Sequence, residues 1–295
     1  MGTVNSMVTL NPVDALRAGL AQALRARVGG DSFAEDSRRI WTDPGERWFA
    51  PGTGIHVIHQ DASMYIGGIR ALLLQSLHPL AMAGVAGHSG FKGDPWGRLQ
   101  RTSYYLAITT FGPAEQAEAH IAKIRSIHER VRGKAFDGRP YRASDPHLLA
   151  WVHLAEIDSF LTAYRRFGGG PLTPEMADEY VAQTALVAAK IGVPAPPGTV
   201  AELDVMLAAY RPELESTVAA RDAARFLLLN PPLPLASRPG YAMLAAAAVS
   251  TLPGWARRTL RLPRIPLADG LIGAGAGKAA TSTIRWAMSR PAVPA

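Results

Sequence analysis

The 295-residue chain has no cysteine. That excludes a disulfide scaffold, a thiolate nucleophile, a thiolate-ligated haem, an iron–sulfur cluster and a cysteine zinc site, so any metal must be held by histidine, carboxylate, tyrosine or methionine. Charged residues are sparse at 19% and aromatics at 7%, against 48% hydrophobic residues, which is the composition of a globular chain with a sizeable core. There is no basic region followed by an apolar core at the N-terminus, and no secretory signal is read there. Gly2 and Ser6 fit the short myristoylation pattern, which recurs often by chance. Long apolar runs are also missing. Met64 to Val85 is interrupted by Arg70, Gln75 and His78, and Tyr241 to Leu252 is only a dozen residues, so neither reads as a membrane span and the expected location is the cytoplasm.

Acidic side chains are nearly absent from one end. Residues 1–230 hold 23 basic and 23 acidic residues, whereas 231–295 hold 8 and 1, so the net charge of +7 resides in the tail. Trp255 stands alone among Arg257, Arg258, Arg261 and Arg264, without the interleaved aromatics that stack on bases, and nucleic acid is not an expected partner. A peripheral contact with an anionic membrane surface suits such a tail, as does an ordinary solvated basic face. Histidine is segregated too, since all eight lie between His56 and His153.

Proline and glycine separate stretches of 15 to 25 residues rich in Ala, Leu, Arg and Glu, with little β-type alternation, and the fold class is all-α. Asp94-Pro95, Gly112-Pro113, Asp145-Pro146 and Thr173-Pro174 mark helix starts, three of them with a capping side chain before the proline. Helices are expected over about 61–76, 79–87, 95–111, 113–132, 146–167, 174–191, 199–209, 212–229, 240–251 and 275–288, with a turn or hairpin over 133–141 around Asp137-Gly138. The reading is one helical domain over 1–230, then a Pro-rich connection and basic C-terminal helices, 231–295, packed on or beside it as an appendage.

Steps of three and four from His128 collect Ile121, Ile124, Arg125, Val131 and Arg132, opposite a solvated face with Glu118, Lys123, Glu129 and Arg130. Arginines turned inward need anions, from other helices or from a ligand with two acidic groups such as the propionates of haem b. Arg98, Arg101, Thr102 and Tyr105 form a second stripe on the preceding helix, and the short Gly112-Pro113 connection makes the two helices neighbours. His153 shares a face with Leu149, Glu156, Ile157 and Phe160. His78-Pro79 breaks a helix beside Gly84, Gly87 and Gly90, where a backbone or a flat ligand can approach closely. His78 either faces a cofactor or caps the break, and core histidines with bridging arginines remain the alternative throughout. His56 and His59 are spaced for a two-histidine zinc or di-iron site, but no H-E-x-x-H is present; G-x-S-x-G is absent, and GAGAGK lacks the spacing of a phosphate loop.

Taken together, R-x-x-H-x-x-x-R (Arg125, His128, Arg132), Arg98 and Thr102 four apart one helix earlier, L-x-x-x-H-P at Leu74 to Pro79, D-P-x-x-R at Asp94 to Arg98, and A-x-D-P-x-x-L-x-W-V-H at Ala143 to His153 resemble one family. It is the haem-binding domain shared by latex-clearing protein (rubber oxygenase) and the mycophenolic-acid pathway oxygenase MpaB, and the likeness covers roughly residues 60–165. The resemblance implies globin-like packing and a haem b with His128 as proximal iron ligand. Arg98, Thr102, Arg125, Arg132 and His78 would stand around the cofactor, and Arg98, Arg101, Thr102 and His153 would take part in catalysis. The implied activity is that of a haem-dependent oxidoreductase, an oxygenase that uses dioxygen or peroxide on an apolar, isoprenoid- or lipid-like substrate.

Two departures bear on the chemistry. Arg101 stands where the rubber enzyme has a lysine, and a guanidinium, always protonated, is a poor iron ligand. No Asp or Glu occurs between Asp61 and Asp94, where that enzyme has a proposed base, so a base must come from His78, His88, His153 or Glu156. Two further readings stand beside the oxygenase: a non-enzymatic haem or gas-binding protein, and a membrane-peripheral lipid-binding helical protein whose arginines are structural.

Overall fold

The computed structural model describes residues 11–30, 33–88, 93–262 and 266–289, with backbone alone over 266–270. Gly2, Ser6, Gly90 and Arg264 lie outside these residues. In chain order the helices are α1 (Pro12–Gly29), α2 (Phe33–Trp41), α3 (Gly54–His59), α4 (Met64–Gln75), α5 (Pro79–His88), α6 (Pro95–Phe111) and α7 (Ala114–Arg130). A two-stranded hairpin follows, β1 (Arg132–Lys134) and β2 (Pro140–Arg142). Then come α8 (Pro146–Phe167), α9 (Pro174–Ile191), α10 (Val200–Ala209), α11 (Val218–Leu229), α12 (Arg238–Thr251), α13 (Gly254–Thr259) and α14 (Pro266–Met288). Among the described residues the fold is all-α apart from this hairpin.

The helix starts obey local chemistry. Asp94, Asp145 and Thr173 each accept a backbone N–H of the first turn, from Gly97, His147 and Met176, with proline at the first helical position. Three differences from the expected elements matter. The helix expected to run to 132 ends at Arg130, so Arg132 belongs to β1 and leaves the α7 stripe. The helix expected over 212–229 divides into a 3-10 turn, Arg211–Glu213, and α11. Helices α1, α2, α3 and α13 were not anticipated, although Asn11, whose side chain accepts from the Val13 N–H ahead of Pro12, is a readable start signal.

Helix α8 is the centre of the core, with Trp151, Leu154, Ala155, Ile157, Ser159 and Ala163 essentially inaccessible. Helix α4 lies along it because Gly67 lets the backbones close: a Cβ there would stand 2.6 Å from the Phe160 ring and 3.2 Å from the Ser159 carbonyl oxygen. Arg70, 2% exposed, crosses from α4 to α8 and α12. It donates to Asp158 Oδ2 at 2.7 Å, Ser159 Oγ at 2.7 Å and the Thr251 carbonyl oxygen at 3.2 Å, so the buried cation is both paired and hydrogen-bonded. The C-terminal residues share this core. Ala247 and Ala248 of α12 and Ala256 of α13 are fully buried, α12 packs on α4, and α14 packs along α12.

Among the described residues no single helix is long and apolar enough to cross a membrane. Helices α4 and α5 reach that composition only as a pair, bent by 107° at Ser76–His78, and α4 lies largely buried in the core.

Candidate active site

Helix α7 turns Ala117 and Ile121 into the interior, with His120, Ile124 and His128 spaced four apart beside them and half-buried. Helix α6 runs antiparallel to α7 after the Gly112-Pro113 turn. Their pairing is marked where the His120 ring meets Tyr104 at 4.9 Å and Tyr105 at 6.2 Å.

Both α7 imidazoles are desolvated. His120 Nε2 and His128 Nδ1 are buried and have no hydrogen-bond partner among the described residues, and burial lowers the pKa of each ring. Arg98 is half-buried, and its pKa is lowered first by desolvation and then by the neighbouring charge of Arg101.

Helix α8 supplies His153 and Glu156, one turn apart on one face. His153 Nε2 is buried without a hydrogen-bond partner, and desolvation lowers that imidazole to about 4. Desolvation raises Glu156 to about 7, a carboxyl poised between its two forms at neutral pH. Glu156 interacts electrostatically with Tyr105 of α6 and Tyr180 of α9, whose hydroxyls burial holds protonated. Beyond Tyr180, His59 Nδ1 lies 2.8 Å from Thr110 Oγ1 and its Nε2 3.3 Å from the Tyr180 hydroxyl, while burial lowers this imidazole to about 3. His153, Glu156 and Tyr105 are each half-buried, and desolvation governs their titration. At neutral pH this interior holds neutral imidazoles, protonated phenols and one carboxyl able to accept or release a proton.

The other expected residues are distributed more widely. Arg125 and Arg132 are exposed, the first because it lies off the inner face of α7, the second because the hairpin begins there. Desolvation therefore bears on Arg98 and not on these two. Arg101 is exposed and pairs with the α6 N-cap, Asp94, at 3.1 Å. Thr102 is exposed and donates to the Arg98 carbonyl oxygen at 3.0 Å. His78 lies at the α4–α5 break with His147, Trp151, Tyr210 and Glu213, a different set of neighbours from those of His128. His88 is exposed against Tyr141. The Gly84 and Gly87 surface is covered by the Tyr141 ring, whose hydroxyl would stand 2.9 Å from a Cβ on Gly87. His59 uses both ring nitrogens on Thr110 and Tyr180, which leaves no free ligand atom for a metal shared with His56. Tyr180 escaped sequence reasoning, since it adjoins His59 only through the fold.

No curated protein and no solved structure matches the chain. Residues 55–286, from α3 to the last turns of α14, match the family described as ER-bound oxygenase mpaB/B'/Rubber oxygenase, catalytic domain. A match that spans most of the chain and includes α6, α7 and α8 shows that this protein belongs to that oxygenase family and carries its catalytic domain.

Proposed function

We propose that the protein is a haem b-dependent oxygenase that attacks an apolar, isoprenoid- or lipid-like substrate with dioxygen or peroxide, with His128 as proximal iron ligand. The observation that carries the reading is His128 itself: a desolvated imidazole, neutral at physiological pH, with a buried ring nitrogen that no described residue satisfies, on a helix packed against the one that bears half-buried Arg98. Iron takes a neutral imidazole, and a haem carries two carboxylates that arginine recognises well. The residues present fit such a group. His128 would hold the metal, Arg98 would meet a propionate, and the exposed Arg125 and Arg132 supply cations at the solvent side.

Bound there, haem b supplies the iron centre at which dioxygen or peroxide is activated. The chain's own part is polarity and proton control. Glu156, near 7, accepts or returns a proton at its carboxyl oxygen. His153, uncharged down to about 4, keeps its face of α8 neutral. Tyr105, held protonated, offers a hydroxyl beside Glu156. Ile121 and Ile157, buried in the core, and half-buried Ile124 keep the inner faces of α7 and α8 apolar. Arg101 and Thr102, exposed and already engaged with Asp94 and the Arg98 carbonyl, are not required by this scheme.

The test is haem reconstitution followed by spectroscopy. Wild-type protein shows a stoichiometric Soret band and substrate-dependent oxygen uptake, His128→Ala loses the band, and Glu156→Gln keeps the band but loses most turnover. Protein given haem that shows no Soret band ends this reading, and a band with reversible gas binding but no turnover leaves a haem-binding protein without the oxygenase reaction.

A further inference from the structure

The second face of α8 carries a cluster that the oxygenase chemistry does not use. His147 and Trp151 point away from His153 and Glu156, and His147 meets His78 from the α4–α5 break and Glu213 from the 3-10 turn after α10. His147 Nε2 lies 2.8 Å from Glu213 Oε2 and His78 Nε2 lies 3.4 Å from the same oxygen. One ligand atom from each of the three residues falls within 4.8 Å of the others, the one group of three or more such side chains found among the described residues. We infer that His78, His147 and Glu213 form a divalent transition-metal site of the Zn2+ class, separate from the oxygenase interior.

His78 is the first support. It is 2% exposed, and its Nε2 is buried, without a hydrogen-bond partner and 3.4 Å from Glu213 Oε2. His147 is the second. Its Nε2 lies 2.8 Å from the same carboxylate oxygen, and its Nδ1 lies 3.1 Å from the Tyr210 hydroxyl, which donates to the His147 carbonyl oxygen at 2.8 Å. A divalent ion that displaces any proton between His147 and Glu213 would be held by all three groups.

The donor chemistry decides the class of ion. Two imidazoles and one carboxylate suit Zn2+ and its first-row neighbours, whereas Ca2+ and Mg2+ want an all-oxygen shell. Ligand atoms around tetrahedral zinc stand about 3.4 Å apart, which the His78–Glu213 pair already meets and the His147–Glu213 pair reaches by opening slightly. Glu213 and His147 keep exposed edges, through which water can complete the shell. The Tyr210 hydroxyl on Nδ1 is the outer partner that a ligating histidine normally has, and its ring stacks on His147 at 4.5 Å between centroids. Arg139, which joins Asp137 at 2.6 Å and Glu215 at 3.7 Å, is the nearby cation. The site thus ties the α4–α5 break, the start of α8 and the turn after α10 to one point.

The experiment uses untagged, full-length protein, treated with chelator and titrated with Zn2+ against a chromophoric competitor, then with Co2+ for its ligand-field spectrum. Wild type takes up a single tight equivalent, its melting temperature rises with Zn2+, and Co2+ gives visible bands of a nitrogen- and oxygen-ligated centre. His147→Ala and Glu213→Gln lose this uptake and the melting shift, Tyr210→Phe weakens it by roughly tenfold or more, and His88→Ala, on an exposed histidine outside the cluster, leaves it unchanged. Wild type with no stoichiometric uptake, or variants that bind as wild type does, overturns the site. Haem content reads separately, so failure here leaves the oxygenase reading intact.

Discussion

Arg285, in the last turn of α14, holds Asp61, between α3 and α4, through two parallel hydrogen bonds of 2.9 Å each, from Nε to Oδ2 and from Nη2 to Oδ1. Nη2 also donates to the Phe167 carbonyl at the end of α8, and Asp61 accepts from the backbone of Ser63 at 2.8 Å. One ion pair thereby locks the C-terminal helix onto the start of the core. Desolvation raises the Asp61 carboxyl, but the hydrogen bonds from Arg285 and Ser63 outweigh it and hold it below the usual carboxylate range. A carboxyl depressed in the fold stabilises above its unfolded pKa, and that contribution is lost as pH falls through the folded value. Arg285→Ala should cost about 2–3 kcal/mol near neutral pH, with a smaller difference from wild type below pH ~4. Chemical denaturation at the two pH values checks both; a pH-independent difference would reject the electrostatic account.

On α6 and α7, burial separates the arginines by expected effect. Arg98→Ala removes a desolvated cation from the helix packed against α7 and should weaken haem retention tenfold or more, while exposed Arg125→Ala changes it only a few-fold. Haem transfer to an apo-globin acceptor measures the two. Equal losses would mean that depth in the fold does not govern cofactor binding.

Glu156 gives a prediction opposite in sign to that for Asp61. Its pKa rises from the ordinary carboxylate range to about 7, so its favourable contribution is present at low pH and lost as pH climbs through 7. Wild type should therefore lose stability relative to Glu156→Gln between pH 5 and pH 8, read from paired melting curves, and the variant's residual oxygen uptake should lack the wild-type inflection near 7. Parallel melting curves would show that the carboxyl is not desolvated.

Two neighbouring glycines on α4 should respond in opposite directions. Gly67→Ala forces a Cβ against Phe160 and the α8 backbone and should cost ~1–3 kcal/mol. Gly68→Ala meets nothing within 4 Å and should stabilise by about 0.5–1 kcal/mol, as alanine does inside a helix. Urea midpoints settle the pair, and loss in both would contradict the packing described.

Much of this protein is legible along the chain because its signals are local. Proline after a capping side chain marks the starts of α6, α8 and α9, and Asp137-Gly138 places the hairpin turn, where Gly138 takes φ +85°. The spacing of Arg98, His128 and His153 carries the family likeness, which the match over 55–286 bears out at the level of family. Direction is harder to read. A stripe at steps of three and four placed Arg125 and Arg132 with His128, but a residue just off the buried face, or two residues past the helix end, is already in water.

The amino-acid sequence by itself determined the all-α class, the absence of any thiolate chemistry, the segregation of histidine into residues 56–153 and the family. These follow from composition and from interactions a few residues apart. Only the tertiary structure decided which ionisable groups lose water and which groups meet. It placed Glu156 beside Tyr105 and Tyr180, closed Arg285 on Asp61 across 224 positions, and gathered His78, His147 and Glu213 from three distant segments. Desolvation and ligand geometry depend on the chain's return in three dimensions, which no local spacing encodes.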